Sequence, residues 1–165
     1  MNKPAQQNIL ISACLLGSPV RYNGTDLLID HPLLKQWGKE NRLISICPEV
    51  AGGMPTPRAP AEISYKDGES VLLGKSHVIN NMGGNVTEEF ILGANKALEV
   101  AQKNNCVAAI LTERSPSCGS NIIYDGSFSG IRKSGAGVTT TLLQKSGIRV
   151  FNQNQLNELR DFLIL

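Results

Sequence analysis

Apolar residues along this chain fall into short runs separated by polar, glycine- and proline-bearing stretches. Residues 8–13 (NILISA) form a partly β-branched run that leads into Cys14 and predict a first strand. The loop 17–25 follows, and residues 27–37 carry apolar positions at helical spacing. Residues 43–46 (LISI) predict a second strand running into Cys47, and 48–60, with four prolines and two glycines, predict a long loop. Asp67-Gly68 between two β-prone runs predicts a hairpin over residues 62–74. Asn85, with Glu88 three positions on, predicts the cap of a helix reaching Lys103. Residues 107–111 (VAAIL) predict another buried strand, and Asp125-Gly126 marks a second turn. A helix over 138–145, a strand over 148–151 and a helix over 155–163 complete the pattern.

Strands that are nearly all apolar and alternate with helices predict a mainly parallel sheet flanked by helices on both faces. The expected fold is α/β, a single Rossmann-like domain over residues 1–165, and a chain of 165 residues suits that size.

Composition narrows the function classes. Sixteen Lys plus Arg against fourteen Asp plus Glu give a net charge of +2, too balanced for a protein built to grip a nucleic-acid backbone. No run approaches the roughly 18 apolar residues of a membrane span. The polar start, Met1 to Asn8, lacks the features of a secretory leader. The expectation is a cytoplasmic protein with reduced thiols, no membrane and no stable nucleic-acid partner.

The four cysteines, Cys14, Cys47, Cys106 and Cys118, contain no C-x-x-C pair, which argues against a zinc finger or a thioredoxin-type redox pair. In open α/β sheets, ligands bind beyond the carboxyl ends of the strands. Cys14 and Cys47 each follow a predicted strand, and Cys118 lies in the loop leaving the strand over 107–111, so the three can share one edge. Cys106 starts that last strand, and about 3.3 Å per residue puts it roughly 16 Å away, at the opposite edge.

Each motif also has a plainer reading. Cys14 between apolar neighbours is equally a small core residue. Cys47-Pro48-Glu49 sets a thiol beside a carboxylate on a stiff turn, or is a turn cysteine with a solvated acid. Arg58 either orients a substrate or neutralises its loop. Ser115-Pro116-Ser117-Cys118-Gly119-Ser120 offers a thiol, hydroxyls and consecutive loop amides, and is otherwise a Ser-rich turn. The glycine-bearing stretch 130–137 offers amides to a phosphate but matches neither G-x-G-x-x-G nor a Walker A motif. Neither His31 nor His77 has a ligand-like neighbour in sequence, and Cys106 is expected in the core.

In order along the chain, SACLLG with VRYNG, CPEVAGGMPTPRAPAEI, GGNVTEEFILGA, SPSCGS, IYDGSFSG and GAGVTTTLL together resemble the thiouracil desulfidase family in its short form. The blocks run from Ser12 to about Leu143. The resemblance implies a [4Fe-4S] cluster on Cys14, Cys47 and Cys118 with one iron free of protein ligand. It further implies a catalytic carboxylate at Glu49 and a substrate-handling hydroxyl at Ser115. Asn23 and Asn85 stand where family members often have Asp. For the cap the two are comparable; at position 23 the change bears on substrate preference.

The implied reaction removes sulfur from a thiolated pyrimidine base or nucleotide by net hydrolysis. The open iron is a Lewis acid for the thiocarbonyl sulfur, with Glu49 as general base or proton shuttle. Two alternatives stand beside it: a non-catalytic zinc or thiolate binding module closed by Cys106, and a metal-free enzyme with Cys14 or Cys118 as nucleophile. Arg21, Lys133 and the 130–137 stretch are the candidates for meeting a nucleotide phosphate.

Overall fold

A computed structural model describes residues 6–164; most of the polar lead-in read above lies outside them. The central sheet holds β1 (Asn8–Ser12), β2 (Leu43–Ile46), β5 (Cys106–Ile110) and β8 (Arg149–Phe151) in the order β2-β1-β5-β8. All three pairings are parallel. Side chains alternate across a strand, so successive core residues face opposite layers. Ile9, Ile11, Ala108 and Ile110 pack with Leu34 and Trp37 of α1 (Pro32–Lys39) and with Leu156 and Leu159 of α6 (Leu156–Ile164). Leu10, Ala109 and Leu111 pack on the other face against Ala97 and Ala101 of α4 (Thr87–Lys103) and Leu143 of α5 (Val138–Lys145). Each fully buried Leu or Ile contributes about 1.5–3 kcal/mol.

Two antiparallel ribbons stand apart from this sheet: β3 (Ala61–Ile63) with β4 (Val78–Asn80), and β6 (Ile122–Tyr124) with β7 (Arg132–Ser134). They share a smaller core containing Ile63, Val78, Ile123, Phe90 and Val138. No helix among the described residues is long and apolar enough to cross a membrane.

Several local expectations are corrected. The Asp67-Gly68 pair is no hairpin turn; Asp67 caps a short helix, α3 (Gly68–Leu72), by accepting from the Ser70 amide at 3.1 Å. β3 therefore pairs with β4 across that helix. The first helix begins at Pro32 rather than 27, because His31 accepts the Leu33 amide and Pro32 suits the first helical position. The 48–60 loop opens with one helical turn, α2 (Pro48–Ala51). Asn85 does not cap α4 directly; it accepts from the amide and hydroxyl of Thr87 in a turn just before the helix, whose cap is Val86.

One contact sets where α2 lies. Gly52, at its end, and Gly93, inside α4, bring the two backbones together. A Cβ at Gly93 would collide with the Pro48 carbonyl, and one at Gly52 with the Glu89 carbonyl. Only glycine permits that approach. The turn carrying Cys47 and Glu49 is thus seated against the longest helix.

Candidate functional site

A cavity of about 590 Å³ opens at the carboxyl edge of the central sheet. Cys14, Cys47, Glu49, Ser115 and Cys118 all line it, and Cys106 does not. Cys14 sits in a single 3-10 turn, Ala13–Leu16, that continues β1. Cys47 occupies the position just before α2, and Cys118 lies in the loop leaving β5. Three consecutive strands of the sheet thus deliver one thiol each.

Burial is the largest influence on all three thiols and raises each above its ordinary value. Cys118 is the most affected, since the charges of Cys47, Glu49 and Cys14 add to the desolvation. Opposing contributions favour the thiolates. Cys14 Sγ lies 3.0 Å from Thr112 Oγ1, and Arg21 is a nearby positive charge. Ser12 Oγ donates to Cys118 Sγ at 3.7 Å. Cys47 Sγ donates to the Val20 carbonyl at 3.9 Å, and the backbone of Val50 and Glu49 opposes the rise caused by burial. Cys106, at the far end of β5, is pushed up to about 11 by burial alone and meets none of these groups.

Arg58 lines the cavity and clamps Glu49. Its Nε donates to Glu49 Oε1 at 3.2 Å, and its side chain is only 4% exposed. The remaining guanidinium donors reach the Pro55 carbonyl, Thr56 Oγ1 and the Val20 carbonyl at 3.0–3.2 Å. Glu49 is 17% exposed, and its opening is to the cavity. Ser115 Oγ donates to Glu49 Oε2 at 3.5 Å. Burial raises the Glu49 carboxyl above its ordinary value, with Arg58 and Ser115 opposing the rise.

The Cys118 loop is pinned from several directions. Ser115 Oγ accepts the amides of Ser117 and Cys118 at 3.1 and 3.2 Å. The first amides of α5 are spent on this loop: Val138 donates to the Pro116 carbonyl, and Thr139 and Thr140 to that of Ser117. Gly137 donates to the Gly119 carbonyl, and a Cβ there would run into Ser117. The amides of Gly137, Val138, Thr139 and Thr140 at the start of α5 are thus engaged within the protein, while Gly130 lines the cavity.

Sequence reasoning missed Glu113. Its Oε1 accepts the amides of Ser120, Asn121 and Ile122 at 2.8–3.0 Å, and its Oε2 accepts from Ser120 Oγ and Asn152 Nδ2. Desolvation opposes its charge, but these donors hold its carboxyl below the usual range. The sequence signal was an acid just ahead of S-P-S-C; its partners are assembled only by the fold.

The outer cavity is lined by Arg21, Tyr22, Glu62, Asn81, Arg114, Tyr124 and Phe128. Arg114 and Phe128 both hold left-handed backbone, at φ 73° and 56°, a conformation concentrated at functional sites. Lys133 lies in β7 and does not line the cavity, and Asn23 turns back to Thr25. His31 caps α1, and His77 sits beside Asn85.

The donor set fits a cluster better than a lone ion. Three cysteine thiols with no imidazole are soft ligands of the kind iron–sulfur clusters take. Among the described residues, the three thiols share the cavity with no histidine in its lining.

The family model for 2-thiouracil desulfurase matches residues 9–155. The chain belongs to the 2-thiouracil desulfurase family. A solved member of similar build, a [4Fe-4S]-dependent thiouracil desulfidase named TudS, aligns at a TM-score of 0.87 and 46% identity, covering 96% of this chain and 98% of that one. Uncharacterized protein YbbK of Bacillus subtilis (strain 168) is 44% identical over 151 residues, 92% of this chain and 99% of its own length.

Proposed function

We propose that Cys14, Cys47 and Cys118 hold a [4Fe-4S] cluster and that the protein removes sulfur from a thiolated pyrimidine in the cytoplasm. The substrates are 2-thiouracil, 4-thiouracil or a thiouridine monophosphate; the products are the uracil compound and hydrogen sulfide. The observation that carries this reading is the arrival of three thiols from three adjacent strands at one cavity that also holds Glu49. When bound on three thiolates, the cluster supplies an iron without a protein ligand, a Lewis acid for a soft thiocarbonyl sulfur.

The chain's own groups handle the proton and the substrate. Glu49 removes a proton from the attacking water and returns one to the ring or the departing sulfide. Arg58 holds one of its oxygens and Ser115 the other, so the carboxylate is fixed at the cavity wall. The Ser115 oxygen already accepts two amides, which leaves its hydrogen for Glu49 or for substrate. Thiocarbonyl plus water becomes carbonyl plus hydrogen sulfide, with no change of oxidation state. A cavity of about 590 Å³ has room for more than a base, and Arg21 and Arg114 suit the charge of a nucleotide.

The alternatives fit less well. Cys106 lies off the cavity, so it cannot close a four-thiol site. Among the described residues no thiol is hydrogen-bonded to Glu49 or to a histidine, which leaves a metal-free cysteine nucleophile without its base.

The test is sulfide release from the three substrates by anaerobically reconstituted protein. Release by the iron-loaded protein alone, abolished in Glu49→Gln with iron retained, supports the reading. Equal release by metal-free protein, or none by the loaded form, contradicts it.

A further inference from the structure

Two hydroxyls, one buried and one half-buried, sit beside the cavity thiols, and the sequence reading assigned neither. Ser12 is the last residue of β1 and is 3% exposed. Thr112 follows the neighbouring strand β5 and lines the cavity. Because β1 and β5 run parallel in register, with Ile11 beside Ile110, the residues leaving their ends meet. The Thr112 amide donates to Ser12 Oγ at 3.0 Å. That bond uses an oxygen lone pair of Ser12 and leaves its hydrogen free, directed at Cys118 Sγ, 3.7 Å away. Thr112 Oγ1 lies 3.0 Å from Cys14 Sγ.

In the neutral pair either Thr112 or Cys14 can donate. Once the sulfur is a thiolate it has no hydrogen, and the hydroxyl is the only possible donor. The same holds for Ser12 with Cys118. Cys47 differs, since its Sγ meets the Val20 carbonyl at 3.9 Å and no side-chain hydroxyl bonds to it among the described residues.

We infer that Ser12 and Thr112 are positioning residues that donate hydrogen bonds to the Cys118 and Cys14 thiolates and so draw charge off the metal group these sulfurs hold. The inference rests on the cluster reading above. Hydrogen bonds to ligand sulfurs raise the reduction potential of an iron–sulfur cluster. They would also leave its irons stronger Lewis acids for a thiocarbonyl sulfur.

The test measures iron content and the cluster's midpoint potential in anaerobically reconstituted wild type, Thr112→Val, Thr112→Ser, Ser12→Ala and Ser12→Thr. Thr112→Val keeps the side chain's shape while removing the hydroxyl, so it probes the hydrogen bond with little change in packing. The expected result is a more negative potential in Thr112→Val and Ser12→Ala, with wild-type values restored in Thr112→Ser and Ser12→Thr. An unchanged potential in Thr112→Val and Ser12→Ala at full iron content overturns the inference while leaving the cluster reading intact. If one of those two loses iron, the other decides by the same criterion. Loss of iron in both, without its return in the hydroxyl-bearing variants, also overturns it. A wild type that takes up no iron and sulfide overturns both readings.

Discussion

The inner and outer walls of the cavity are built in different ways. The inner wall, with Ser12, Cys14, Cys47, Glu49, Ser115 and Cys118, stands on the ends of three adjacent strands. Its side chains are tied by hydrogen bonds to one another or to backbone. The outer wall, with Arg21, Tyr22, Arg114 and Phe128, stands on loops; Tyr22 is 42% and Phe128 39% exposed. Among the described residues no hydrogen bond or ion pair engages the Arg21 or Arg114 side chain. A reacting centre needs fixed geometry, which strand ends and saturated donors provide. Recognition of a variable substrate tail is suited to loops. Under the proposed function, this contrast assigns the chemistry to the sheet and substrate choice to the rim.

The largest expected effect breaks the inner wall chemically. Glu49→Gln should lower sulfide release on the order of 10²- to 10⁴-fold while iron content stays at the wild-type level. Assays and metal analysis on the same preparation check both halves. Next comes the seat of the Cys47 turn. Gly93→Ala drives a methyl into the Pro48 carbonyl and should cost about 1–3 kcal/mol, seen as a lowered denaturant midpoint.

Glu113→Gln is smaller, about 1–2 kcal/mol, because the carboxylate it replaces is partly open to solvent. Its pH signature is distinctive. The folded carboxyl is held below its unfolded value, so its contribution is complete above about pH 4.3 and is lost as the pH falls through the folded value. Urea titrations from pH 7 to 3 should show a shallower acid loss in the variant. The smallest effect belongs to the outer wall: Arg114→Ala should raise KM for a thiouridine monophosphate about 3- to 10-fold and leave KM for thiouracil unchanged. Equal changes for base and nucleotide would erase the distinction between the walls.

The sequence carried the inner wall further than the outer one. Cys14, Cys47 and Cys118 were legible as a group because each follows an apolar run, and strand ends in a parallel sheet face one edge. Glu113 was not legible, since its donors, Ser120 to Ile122 and Asn152, are gathered only by tertiary folding. Arg58 was left between orienting a substrate and neutralising its loop, because sequence shows a cation nine positions from Glu49 but not its burial against that carboxylate. The Asp67-Gly68 misreading has a local cause: Asp before Gly serves a hairpin turn and a helix cap equally well, and the cap won here. The 130–137 stretch looked open to a phosphate because sequence cannot show that Asn121 and Gly119 already take the amides of Gly135 and Gly137.

The central claim is that three particular thiols hold a metal cluster and the fourth does not. The direct test is iron and acid-labile sulfide per chain after anaerobic reconstitution of Cys14→Ser, Cys47→Ser, Cys118→Ser and Cys106→Ser beside the wild type. The account predicts near-equal iron and sulfide in the wild type and in Cys106→Ser, with loss in each of the other three. Loss in Cys106→Ser, or full retention in any of the other three, would contradict it.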